Sequence, residues 1–163
     1  MLILKKMYES IYKKQAPYYY NYSFCKILTK PIRKFVTNVI ASNCPFNNLR
    51  VWIYRMCGFK IGKKVFIGMK CYLDDMCYEL ITIGNNVTIS YGVYFACHGK
   101  NQSHLPITIE DNAYIGMRAS IISKNRVGRG KEKNGICIGK GAVIGANALI
   151  NCDVPSGKTA VGI

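Results

Sequence analysis

The stretch Ile138-Gly-Lys-Gly-Ala-Val-Ile144-Gly-Ala-Asn-Ala-Leu-Ile150-Asn-Cys-Asp-Val-Pro155 decides the fold. Its isoleucines stand six residues apart, and Ala142, Ala148 and Val154 hold the fifth place of each hexad. The phrase recurs upstream. Ile61 and Ile67 open two hexads; Ile83 and Ile89 open two more and lead into Phe95-Ala-Cys-His98; Ile109, Ile115 and Ile121 open three. A six-residue period is neither the 3.6 of a helix nor the 2 of a lone strand. It fits a triangular coil with three flat sides, one hexad to a side. The isoleucine should point into the prism and stack on its copy one coil away. The small fifth residue fits beside it, and glycine or asparagine permits the corner backbone. Successive coils should lie about 4.8 Å apart, the ordinary interstrand spacing. A mainly β domain is therefore expected over 61–163, with departures from the repeat between Phe95 and Ile109 and again around Val127–Gly135.

Residues 1–60 carry a different pattern. They read as a basic, aromatic, mostly helical segment, with helices at Met1–Lys14, Pro31–Ala41 and Asn48–Cys57. An aromatic break lies at Ala16–Tyr22. Proline suits a first helical turn, and Gly58 suits a helix C-terminus. Residues 1–64 hold 13 Lys and Arg against Glu9 alone, whereas 65–163 hold 10 against 7 acids. Such a basic segment could meet anionic lipid, a phosphorylated carrier or nucleic acid, or be merely solvated. It could equally cap the open end of the coil, whose strand edges need cover. No nucleic-acid motif accompanies the charge, so nucleic acid is not an expected partner.

Eight cysteines invite a disulfide framework. No secretory apolar run precedes Lys5, and none approaches the ~18 apolar residues of a membrane span. Reduced thiols in the cytoplasm, with or without attachment to a membrane surface, are the expectation. The chain has no Cys-x-x-Cys pair, and its spacing does not suit zinc, so no metal is expected.

Three phrases carry a resemblance to a known family. They are Tyr54-Arg-Met-Cys-Gly-Phe-Lys-Ile-Gly-Lys-Lys-Val65, Leu73-Asp-Asp-Met-Cys-Tyr-Glu-Leu-Ile-Thr-Ile-Gly84 and Ile144-Gly-Ala-Asn-Ala-Leu-Ile-Asn-Cys-Asp-Val-Pro155. They resemble the hexapeptide-repeat acyltransferase superfamily, in particular its polysaccharide and sugar O-acetyltransferases. Tyr78 stands where that branch usually has proline. The resemblance implies a left-handed parallel β-helix, acetyl-CoA as cosubstrate, and a homotrimer with sites between subunits. It implies acetyl transfer to a hydroxyl of a saccharide, such as a capsule, exopolysaccharide or other cell-surface glycan precursor. Serine or an amino sugar as acceptor, or a non-catalytic scaffold, are the alternatives. A γ-type carbonic anhydrase would need three metal histidines, and the chain has two.

A hydroxyl is a weak nucleophile, so the chemistry needs an imidazole to take its proton. The family's phrase places that base at His98. His104 stands in the loop beyond, as a substrate contact or a second choice of base. Asp74, Asp75 and Glu79 lie about one coil earlier, where they would orient His98, bind acceptor hydroxyls or form a solvated corner. Cys97 adjoins His98, yet neighbours on a strand face opposite ways and rarely act together. By resemblance, pantetheine would run along backbone at Met117, Ala146 and Asn151, with Lys140 and Lys158 toward the coenzyme phosphates. The chain stops at Val161-Gly162-Ile163, where relatives usually continue through Pro-Ala-Lys.

Overall fold

The computed structural model describes residues 2–14, 24–98, 104–123, 126–128, 131–133 and 135–162. Its body is a left-handed parallel β-helix with three faces. The first face stacks β1 (Lys60–Ile61), β3 (Ile81–Ile83), β6 (Ile107–Ile109) and β11 (Ile136–Ile138). The second stacks β2 (Phe66–Ile67), β4 (Thr88–Ile89), β7 (Tyr114–Ile115), β12 (Val143–Ile144) and β14 (Thr159–Ala160). The third stacks β5 (Tyr94–Ala96), β8 (Ser120–Ile122) and β13 (Leu149–Ile150). Register is strict. Ile83 pairs with Ile109 and Ile109 with Ile138; Ile67, Ile89, Ile115 and Ile144 form a second column, and Phe95, Ile121 and Ile150 a third. These columns are buried, with Val87, Ala113, Ala119, Ala142 and Ala148 filling the space between them. Each buried isoleucine contributes about 1.5–3 kcal/mol over leaving it exposed.

The corner backbone and the small second residue of the hexad do different jobs, with asparagine and glycine taking the corner as expected at Asn86, Asn112, Asn147, Gly92 and Gly141. The left-handed corner backbone falls on the fourth residue: Lys64, Lys70, Asn86, Asn112, Arg118 and Asn147 all have φ between 53° and 62°. The glycine after the isoleucine answers a close approach instead. A Cβ on Gly116 would sit 2.6 Å from the backbone nitrogen of Ala146 in the next coil.

Among the described residues the departures from the repeat leave the prism at one corner, between the third face and the first. The first, 73–80, follows Tyr72, which bridges Tyr94 of β5; the other two follow β5 and β8, and each leads to the next first-face strand. The last includes an antiparallel pair, β9 (Arg126–Gly128) with β10 (Lys131–Lys133).

The N-terminal segment supplies helices α1 (Leu2–Tyr12), α2 (Phe24–Phe35), a π-helical continuation (Val36–Ala41) and α3 (Asn47–Met56). The aromatic break at 16–22 lies outside the described residues. Contrary to expectation, Pro31 stands inside α2 rather than at its start. Phe24–Thr29 holds no helix breaker, and a proline removes one donor without forbidding the turns before it. Helix α3 closes the first coil. Asn47 accepts from the Ile67 N–H at 3.0 Å and donates to the Val65 carbonyl at 3.0 Å, as a neighbouring strand would. Buried Arg50 donates to the Ile67 carbonyl at 2.6 Å, and Arg55 to that of Ile61 at 3.2 Å. The open strand edges are thereby satisfied by side chains.

Candidate active site

The site is built where two departures from the repeat stack. Asp74 begins the first, and Cys97–His98 begins the second one coil above. Asp74 is 0% exposed. Its Oδ2 accepts the Cys97 N–H at 2.9 Å and lies 2.5 Å from His98 Nδ1, while Oδ1 accepts the Met76 N–H at 3.1 Å. Two backbone donors thus hold the carboxylate in place, and the carboxylate holds the imidazole. The His98 side chain is 40% exposed. With an acceptor-only carboxylate as partner, Nδ1 carries the proton and the Nε2 lone pair is left for another group.

Asp74 therefore lies behind His98, against the imidazole and closed off from the outside. Asp75 points another way. Asn38 Nδ2, from the π-helical turn, donates to its Oδ1 at 3.2 Å, with the Tyr72 hydroxyl at 3.5 Å. Its Oδ2 is buried and has no hydrogen-bond partner among the described residues. Glu79 stands on a short 3-10 turn (Tyr78–Leu80) and is partly buried. His104 comes back to His98 through an antiparallel bridge, and the Leu105 N–H donates to the Cys97 carbonyl at 2.8 Å. The second departure therefore closes on itself at the imidazole; residues 99–103 lie outside the described residues.

Cys97 faces the interior, fully buried, as its alternation with His98 requires. Burial, then the charge of Asp74, pushes its thiol far above the ordinary range, which disfavours the thiolate that a nucleophile needs. The same two causes push Cys77 up to about 12. Among the described residues, no three His, Cys, Asp and Glu side chains gather as a metal site.

Within this chain the residues expected at the coenzyme lie at three different corners. Met117 and Ala146 are exposed at the corner between the second and third faces. Lys140 and Lys158 lie at the corner between the first and second, and Asn151 lies at the His98 corner, two coils on. A groove of about 440 Å³ runs over the outside of the first face along Thr82, Thr108, Glu110, Asp111 and Lys140. Its strands β3 and β6 lead from the His98 corner to the Lys140 corner. The Asn85 backbone N–H, 2.6 Å from Asp111 Oδ1, and then the Asn85 amide hold that carboxyl below its usual range.

Sequence reasoning missed Asn38, Arg33, Asn47 and Arg50. Arg33 lies over the Tyr78 ring, 3.9 Å from its centroid, so α2 braces the first departure from behind. Their partners lie 17 to 45 residues downstream, and no local pattern marks such contacts.

The family "Hexapeptide repeat of succinyl-transferase" matches residues 58–95 and 106–152. A serine acetyltransferase of Bacillus licheniformis is 37% identical over 108 residues, covering 65% of this chain and 43% of that protein. The chain spans about half the length of the curated relatives it matches. Among solved structures, a hexapeptide-repeat acetyltransferase of Vibrio cholerae superposes with a TM-score of 0.60 at 21% identity, covering 84% of this chain and 88% of that one. A complex of that protein with acetyl coenzyme A gives 0.55 at 20% identity, covering 86% of each chain. A maltose O-acetyltransferase of Clostridium difficile gives 0.56 at 23%, covering 86% of this chain and 84% of that one. With just over half of the chain matched by the family and the same prism underlying both, this protein belongs to the hexapeptide-repeat acyltransferases.

Proposed function

We propose that this protein moves an acetyl group from acetyl-CoA to a hydroxyl of a saccharide, with His98 as general base. The observation that carries the reading is the 2.5 Å contact between His98 Nδ1 and the wholly buried Asp74 carboxylate. His98 Nε2 takes the acceptor's O–H proton as the oxygen bonds to the thioester carbonyl carbon. The C–S bond then breaks, the imidazolium returns its proton to the sulfur, and the ester and free CoA leave. The Asp74 carboxylate fixes the ring and balances its transient positive charge. A backbone N–H at a coil turn would meet the developing oxyanion. His104, Asp75 and Glu79 are assigned to the acceptor: His104 bridges back to His98, and Asp75 and Glu79 lie on the same departure from the repeat as Asp74.

The coenzyme is assigned to Met117, Ala146, Asn151, Lys140 and Lys158, gathered from two subunits of a homotrimer. The separation of these residues over three corners supports that assembly, since one subunit does not bring them together. So do Phe66, Tyr91, Tyr114, Met117 and Val143, which leave an apolar surface on the outer side of the second face and its corner.

Serine as acceptor is the second reading, favoured by the likeness to the Bacillus licheniformis serine acetyltransferase over the coil. The test is release of free thiol from acetyl-CoA with mono- and disaccharides, serine and an amino sugar as acceptors. Turnover with saccharides that disappears in His98→Ala supports the first reading; turnover confined to serine replaces it. No thermal shift with acetyl-CoA would overturn both in favour of a scaffold.

A further inference from the structure

The capped end of the coil carries an apolar surface that the proposed reaction does not use. On α2 and its continuation, Leu28, Ile32, Phe35 and Val39 follow one another at helical spacing. They are 57%, 65%, 57% and 48% exposed. The opposite side of the same helix packs on the coil, through buried Thr37 and Ala41 and through Asn38 and Arg33. Helix α3 repeats the arrangement: Arg50, Val51 and Tyr54 are buried on the coil, while Trp52 and Met56 are exposed. Both helices thus have a core-facing side and an apolar side that none of the described residues covers.

Charge selects the occupant. From Phe24 to Lys64 the chain has nine Lys and Arg and no Asp or Glu. A second copy meeting this face with its own would set two such segments against each other, which like-charge repulsion opposes. An anionic bilayer offers what the face lacks. Its headgroups answer the lysines and arginines, and its acyl boundary takes the apolar stripe of a helix lying in the interface plane. Among the described residues no helix is long and apolar enough to cross a membrane.

We infer that α2 and α3 dock the protein on an anionic lipid surface through Leu28, Ile32, Phe35, Val39, Trp52 and Met56. Because Asn38 and Arg33 reach Asp75 and Tyr78 from the far side of the same helix, docking holds the His98 corner near the headgroups. One helix diameter, about 10 Å, separates them. The inference does not depend on the acetyl-transfer reading, and its test needs no turnover.

Trp52 is the chain's only tryptophan, so its fluorescence reports this surface directly. The full chain is mixed at low salt with vesicles of phosphatidylcholine alone or of equal phosphatidylcholine and phosphatidylglycerol. The expected result is co-sedimentation with the anionic vesicles, a blue-shifted Trp52 emission, and quenching by brominated acyl chains. Partition into neutral vesicles should be at least tenfold weaker. The double variant Ile32→Glu/Phe35→Glu should lose at least tenfold in partition with its circular dichroism unchanged. If that variant misfolds, Ile32→Ser/Phe35→Ser is read in its place, and lipid quenching of Trp52 in the parent chain decides independently. Three results would overturn the inference: unmoved Trp52 emission during anionic co-sedimentation, undiminished binding of the folded variants, or a fall in their oligomeric state without lipid.

Discussion

Two corners of one prism, formed by the same six-residue phrase, differ in what they do. Between the first and second faces the repeat runs unbroken, and each coil sets its polar side chains directly above the last. Asn85 bonds Asp111, Asn86 Nδ2 donates to Asn112 Oδ1 at 2.8 Å, and the Lys140 N–H donates to Glu110 at 2.7 Å. Between the third and first faces the repeat is interrupted in successive coils. There, Asp74 meets an imidazole 24 residues on. The unbroken corner spends its polar groups on one another. The broken one leaves half of a histidine exposed with a buried carboxylate behind it. In the proposed reaction it is the interruption of the repeat, rather than the repeat, that supplies the chemistry.

The sharpest way to break that comparison is His98→Ala. It should lower acetyl transfer on the order of a thousandfold while the melting temperature stays put, since the ring is partly exposed and fills no core space. Turnover assay and thermal unfolding check it together. Asp74→Asn should lower kcat by about a hundredfold with little change in KM, because the tautomer and ring position are lost while the acceptor space is not. Asp74→Ala should also destabilise by about 1–3 kcal/mol through the unpaired Cys97 and Met76 N–H groups. Equal loss of kcat in both, with unequal stability, would separate positioning from folding.

At the unbroken corner the effects should fall on stability alone. Gly62→Ala presses a methyl on the next coil's backbone at Gly84 and should cost about 1–3 kcal/mol by denaturant titration. Asn112→Ala should cost less, on the order of 1 kcal/mol, since a left-handed backbone is strained for alanine, and Asn112→Gly should restore part of it. The smallest effect concerns pH. Cys57, Cys71, Cys77 and Cys97 are all raised above their ordinary 9.0 by burial. In the unfolded chain they ionise first, so it binds fewer protons and stability falls as pH climbs above 9. Thermal unfolding between pH 8 and 10.5 checks the sign.

The hexads were legible because each one packs on its own copy. A period written along the chain is repeated in space, and Ile83 above Ile109 above Ile138 needs no other information. His98, its place in a departure from the repeat and its opposite orientation to Cys97 were legible for the same reason, since alternation along a strand is local. What the tertiary structure alone decided is which side chains the interruptions bring together. The period does not count residues outside the coil, so nothing local told Asp74, beneath His98, from Asp75, beside Asn38. The closing of the first coil by Asn47, Arg50 and Arg55 was hidden likewise. These polar residues replace strand neighbours 6 to 20 residues away, and only a finished edge with unpaired N–H and C=O groups shows what they are for.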